Sequence, residues 1–140
     1  MPSVLLVLSA LAITLPAPEP HTGAVYDGRR GALAITTPRD AAVTVVDGVL
    51  DEPVWRKAAL LTGFSQFFPT DGVPARDSTE IFVFYSATAL HVGIRAYAAP
   101  GTVRFTLADR DKITQDDNIQ LFLGTYDDSR QALVFGVNPI

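Results

Sequence analysis

The chain has no cysteine among its 140 residues, and this absence excludes disulfides, zinc–thiolate sites and cysteine nucleophiles. Histidine is also scarce, with only His21 and His91 available as a positioned base. The sequence lacks a Gly-x-Ser-x-Gly elbow, a Walker-type loop and a Gly-x-Gly-x-x-Gly fingerprint. Nothing in the sequence places two carboxyl groups together in an apolar pocket, as glycoside hydrolysis requires. We therefore expect a protein without catalytic activity.

Positive charge is sparse as well. Eleven Lys and Arg stand against fifteen Asp and Glu, which gives a net charge of −4, and no basic stripe occurs. This balance argues against a nucleic-acid partner and against docking on anionic lipid. The hydrophobic share of 48%, with ten Gly and ten Pro, favours one all-β domain with many turns over a helical bundle.

Long apolar runs are limited to residues 4–15. This run is too short to span a membrane comfortably and suits the core of a signal peptide. We predict a signal peptide at residues 1–17, a Pro- and Gly-rich linker at 18–31 and one domain at 32–140, in an exported protein that is periplasmic or associated with the outer membrane. Because Met1-Pro2-Ser3 carries no Lys or Arg, a buried or disordered N-terminal segment remains the alternative.

The most informative segment follows the β-branched residues 43–46, which predict a strand. Asp51 is placed to cap a helix whose first turn can accept Pro53 without losing a hydrogen bond. The only tryptophan, Trp55, follows with Ala58 and Ala59 at helical spacing, so we predict a short helix over residues 51–61. Its indole is interpreted as a structural anchor in the core rather than as a sugar platform.

Residues 46–59 resemble the beginning of carbohydrate-binding module family 9-like domains. Residues 63–72, Arg110-Asp111, Asp116-Asp117 and residues 134–139 recur in the same order in one branch of that group, over a likeness that covers roughly residues 40–140. In that branch the domain precedes an outer-membrane β-barrel. The resemblance implies a non-catalytic module that binds polysaccharide or oligosaccharide, with a downstream β-barrel domain as partner, and a domain that continues beyond residue 140.

Strand signals at regular spacing predict an antiparallel, jelly-roll-like β-sandwich with one short helix at an end. The predicted strands are residues 32–36, 42–46, 64–68, 79–85, 90–97, 102–107, 119–123 and 132–137, and the last two form a hairpin with an acidic tip. The predicted core comprises Val45, Trp55, Phe82, Phe84, Leu90, Val92, Ile94, Leu121, Leu123, Phe135 and Val137.

Four aromatic residues are predicted to be exposed and are therefore candidate ligand contacts: Phe67, Phe68, Tyr97 and Tyr126. An aromatic ring offers a flat apolar face to sugar C–H groups, and a tyrosine hydroxyl adds a polar group. The alternative for each is ordinary packing between the sheets. The well-characterised sugar binders that the chain resembles clamp the glycan between two tryptophans, and this chain has one.

The acidic residues that cluster near strand ends are candidate calcium ligands: Asp109, Asp111, Asp116, Asp117, Asp127 and Asp128. Calcium requires six to eight oxygen ligands, which such loops can supply. Solvated turn residues are the alternative. In a third interpretation Asp116 and Asp117 form an ionic latch with Arg95 or Arg104.

Two functions follow from the sequence. The first is a carbohydrate-binding module associated with polysaccharide binding or catabolism at the cell envelope. The second is a structural or interaction domain that packs on the downstream barrel and binds no sugar. The single-tryptophan composition keeps the second alternative open.

Overall fold

The protein is all-β, as predicted. The computed structural model describes residues 19–32, 34–104, 116–124 and 130–138, and these contain six strands and two single-turn 3₁₀ helices. The 3₁₀ helices are Gly28–Arg30 and Pro53–Arg56. The strands are β1 (Val25–Asp27), β2 (Ala59–Thr62), β3 (Thr79–Tyr85), β4 (Leu90–Ala96), β5 (Ile119–Leu123) and β6 (Leu133–Val137).

The larger sheet has the order β1-β2-β3-β4. β1 runs parallel to β2, and the remaining pairs are antiparallel. β3 and β4 form a hairpin whose register places Glu80 opposite Arg95 and Phe82 opposite Gly93. The predicted strand at residues 79–85 is confirmed, and the strand predicted at 90–97 ends one residue earlier.

The smaller sheet is the antiparallel pair β5 and β6, in register from Ile119 opposite Val137 to Leu123 opposite Leu133. This hairpin is confirmed, although its second strand begins one residue later than predicted. Residues 102–104 are not a strand, and the rest of the strand predicted at 102–107 lies outside the described residues.

The helix predicted at residues 51–61 is wrong. A single 3₁₀ turn, Pro53–Arg56, is followed directly by β2, which pairs with β3. Asp51 is not the cap, because Glu52 occupies that position and makes no side-chain capping bond. Over so short a length, the apolar residues after Trp55 fit both the helical repeat and the two-residue repeat of a strand. Pairing with the distant strand β3 makes this segment a strand.

Three further strand predictions fail. Residues 32 and 34–36, residues 42–46 and residues 64–68 are irregular apart from one isolated bridge in the last segment, between Ser65 and Pro74. The predicted linker, in contrast, contributes β1 to the larger sheet.

The core lies on one face of the larger sheet, under the 3₁₀ turn. Trp55 is 7% exposed and meets Phe84 edge-to-face, with ring centroids 5.2 Å apart. The buried cluster comprises Val54, Trp55, Ala58, Phe82 and Phe84. The buried indole agrees with its expected place as an anchor.

Much of the predicted core lies outside this cluster. Val45, Leu90, Phe135 and Val137 are exposed, while four others are only half-buried: Val92, Ile94, Leu121 and Leu123. Val45 belongs to an irregular segment, and β6 is exposed along its whole length because no described layer covers it.

Candidate functional site

Residues 64–75 form a loop closed by its own backbone, which we call the aromatic loop. The amide of Gln66 donates to the carbonyl of Val73 at 2.9 Å, and the amide of Ala75 donates to the carbonyl of Phe64 at 3.2 Å. These bonds join the two arms of the loop, so its tip is held in a defined conformation.

Phe67 and Phe68 lie in this loop and are 85% and 83% exposed. The Gln66 side-chain amide donates to the Thr70 carbonyl at 3.2 Å and braces the turn beside them. Two adjacent phenylalanines exposed to this degree retain an unfavourable apolar contact with water, which a ligand or partner would remove. Both positions were predicted as ligand contacts.

Tyr97, the third predicted contact, lines a groove of about 560 Å³ that we call the inter-sheet groove. The groove lies between the base of the β3–β4 hairpin and the ends of β5 and β6. The described residues that line it are Arg76, Asp77, Thr79, Ala96, Tyr97, Ala98, Thr102, Val103, Asp117, Asn118, Ile119, Val137 and Asn138. Tyr97 is 46% exposed.

The Tyr97 ring is oriented by groups behind it. Its hydroxyl donates to Oε2 of Glu80 at 3.0 Å, and Nη1 of Arg95 lies 3.2 Å from the same oxygen. Arg95 also lies over the Phe82 ring, with its Cζ 5.5 Å from the ring centroid. A side-chain hydrogen bond with Tyr97, and less strongly the contact with Glu80, raise the pKa of Arg95.

Asp117 lines the groove and is held by the backbone of Arg104. Its Oδ2 accepts from the Arg104 amide at 2.8 Å, and its own amide donates to the Arg104 carbonyl at 3.1 Å. The predicted latch to a guanidinium is therefore wrong for Asp117, since the contact with Arg104 is made by main-chain groups and Arg95 pairs with Glu80.

The calcium site stays a prediction. Of its six proposed ligands the structure describes Asp116 and Asp117; Asp109, Asp111, Asp127 and Asp128 lie outside the described residues, as does Tyr126. Among the described residues, no group of three or more His, Asp or Glu could hold a metal ion.

The contacts of His91 indicate a structural role for this residue. Its ring stacks on Phe84 with centroids 4.3 Å apart and planes 3° from parallel. Its two ring nitrogens lie 3.1 Å from Oγ1 of Thr44 and 3.2 Å from Oγ of Ser86. Because the Ser86 oxygen also accepts the Ala89 amide at 3.2 Å within the β3–β4 turn, this contact ties the turn to residues 41–46.

Sequence reasoning missed Glu80 and Asp77 as members of the site. Glu80 could have been found from its alternation with Phe82 and from the opposite charge that faces it across the hairpin. Asp77 had no comparable signal, because it reaches the groove only through the path of the loop before β3.

No helix in the described residues has the length and apolar character needed to cross a membrane. Comparison with models of known protein families, with curated proteins and with solved structures gives no match for this chain.

Proposed function

We propose that the chain is a non-catalytic carbohydrate-binding module of the family 9-like type, in an exported cell-envelope protein. The observation that supports this proposal best is the pair Phe67 and Phe68, 85% and 83% exposed on a loop braced by its own hydrogen bonds. In this proposal the two sheets are parts of a jelly-roll-like sandwich, and the ligand is a polysaccharide or oligosaccharide.

The aromatic loop is preorganised for a sugar ring. A sugar ring presents C–H groups on its faces, and an aromatic ring held in place can cover them without first being ordered. The backbone that carries both rings is already ordered, since the loop arms are joined between Gln66 and Val73 and between Phe64 and Ala75. Trp55 has no such role, because it is buried.

The test is retention of the protein on insoluble polysaccharides, compared with a variant that carries Phe67→Ala and Phe68→Ala. The matched control is Phe122→Ala, which removes a phenylalanine that is 62% exposed but lies on β5. We expect the double variant to be retained more weakly than the unaltered protein and the control to be retained equally, with unchanged melting temperatures. Absence of retention on every polysaccharide tried, by the unaltered protein, contradicts the proposal.

One observation favours the alternative of a domain that packs on a downstream β-barrel and binds no sugar. One face of the β5–β6 hairpin exposes Leu133 (55%), Phe135 (55%) and Val137 (59%). A two-stranded ribbon is marginally stable alone, and an exposed apolar patch of this kind marks a contact surface. This alternative predicts slower amide exchange in β5 and β6 when the barrel domain is joined to the chain, and no retention on polysaccharide.

A further inference from the structure

We propose that the inter-sheet groove is a second saccharide site, separate from the aromatic loop, that accepts uncharged sugar units and rejects uronates. The inference rests on the proposed function and names the ligand class of a site to which Phe67 and Phe68 do not contribute. The groove has about 560 Å³ of space, enough to enclose part of a small ligand.

The walls of the groove suit a sugar. The Tyr97 ring is fixed through its hydroxyl by Glu80, so it offers a rigid aromatic surface. Apolar side chains from both sheets, including Ile119 and Val137, continue that surface. Sugars combine apolar C–H faces with hydroxyl donors, and the remaining lining is polar.

The charges of the lining decide which sugars are accepted. Among the residues that the structure describes, the charged side chains that line the groove are Arg76, Asp77 and Asp117, and their charges sum to −1. The Arg76 guanidinium forms an ion pair with Asp77, since its Nε lies 3.5 Å from Oδ2 of that residue. Carboxylates accept strong hydrogen bonds from hydroxyl groups. The same carboxylates repel the carboxylate of a uronate, and the one guanidinium among the described lining residues is already paired with Asp77.

The expected discrimination is moderate. One pair of like charges about 7 Å apart in a water-like medium weakens binding about threefold, and a lower local dielectric weakens it further. Because this effect is electrostatic, about 1 M salt should remove most of it.

The experiment compares a neutral polysaccharide that the protein retains with the C6-oxidised form of the same polysaccharide, by affinity electrophoresis. We expect the oxidised form to bind at least about threefold more weakly at low salt and equally at about 1 M salt. Asp117→Asn should reduce the difference in affinity between the neutral and the oxidised polysaccharide. The side-chain oxygen of the asparagine can still accept the bond from the backbone N–H of Arg104, but the negative charge is lost. Asp77→Asn is a second variant with the same expected direction.

Asp47→Asn is the matched control. This substitution changes the net charge by the same amount. The Val49 amide donates to Oδ1 of Asp47 at 2.9 Å, and the asparagine oxygen can still accept that bond. Residue 47 is not among the described residues that line the groove. Equal or tighter binding of the oxidised polysaccharide overturns the inference and leaves the proposed function standing. The inference is also overturned if Asp117→Asn and Asp77→Asn behave like Asp47→Asn. Retention of neither form overturns the proposed function and the inference together.

Discussion

The carboxylate of Glu52 accepts a hydrogen bond from the indole nitrogen of Trp55 at 2.7 Å. Its other oxygen accepts the Val45 amide, also at 2.7 Å. One carboxylate therefore satisfies the polar atom of the core tryptophan and holds Val45 against the 3₁₀ turn. A buried indole N–H without a partner would be destabilising, so this contact allows Trp55 to serve as an interior anchor.

Truncation of this anchor should unfold the domain rather than alter binding alone. We expect Trp55→Ala to lower the free energy of unfolding by about 3–5 kcal/mol, because a large buried ring leaves a cavity against Phe84 and Gly93. Urea unfolding followed by circular dichroism measures the change, since the variant has no tryptophan fluorescence. Phe122→Ala should change stability far less, and a Trp55→Ala protein as stable as the parent contradicts the buried anchor.

The bond to Glu52 should make stability depend on pH. The Val45 amide, and next the Trp55 indole, lower the pKa of Glu52 below its ordinary value of 4.5. A lowered folded-state pKa means that the ionised carboxylate stabilises the fold above pH 4.5, and that this contribution is lost as the pH falls through the folded-state value. We expect Glu52→Gln to have a lower melting temperature than the parent at about pH 7, and the gap to shrink in acid. A gap that is independent of pH contradicts this role.

Gly93 should tolerate no larger side chain. A Cβ there would lie 2.8 Å from Cδ2 of Leu50 and 3.0 Å from Cζ3 of Trp55. We expect Gly93→Ala to destabilise the domain by about 1–3 kcal/mol through overpacking. Gly124→Ala is the control, because its Cβ would have no described neighbour closer than 3.9 Å, and thermal unfolding of the two variants measures the difference. Equal stability would show that the indole does not pack on β4.

The calcium hypothesis makes a separate prediction. If the acidic groups bind calcium only in the folded state, a chelator should lower the melting temperature by several degrees, and added calcium should restore it. Calorimetry with and without EDTA measures this effect. An unchanged melting temperature would contradict the calcium hypothesis.

Local patterns predicted the hairpins well. The alternation at residues 90–97 and the apolar residues on both alternating faces of 79–85 identified β4 and β3 to within one residue. Both features depend on neighbouring residues within each strand, which the sequence displays directly.

The wrong predictions at residues 43–46 and 51–61 arose where contacts with distant residues outweighed local preferences. Residues 43–46 have strand composition, but the Val45 amide bonds to the Glu52 side chain instead of a neighbouring strand. The residues after Trp55 join β3 because a partner strand lies about twenty positions further along the chain, which helical spacing cannot reveal. The candidate site shows the same difference between local and long-range features. Exposed aromatic residues could be identified one by one from the sequence, whereas the contact of Tyr97 with Glu80 depends on how β3 and β4 pair.

The most direct test of the account is the affinity for a retained neutral polysaccharide before and after Phe67→Ala and Phe68→Ala, with the melting temperature recorded for both proteins. Because the two rings are exposed and pack on nothing in the core, we predict a loss of about tenfold or more in affinity at an unchanged melting temperature. Unchanged affinity of the folded double variant would contradict the claim that the aromatic loop binds the glycan.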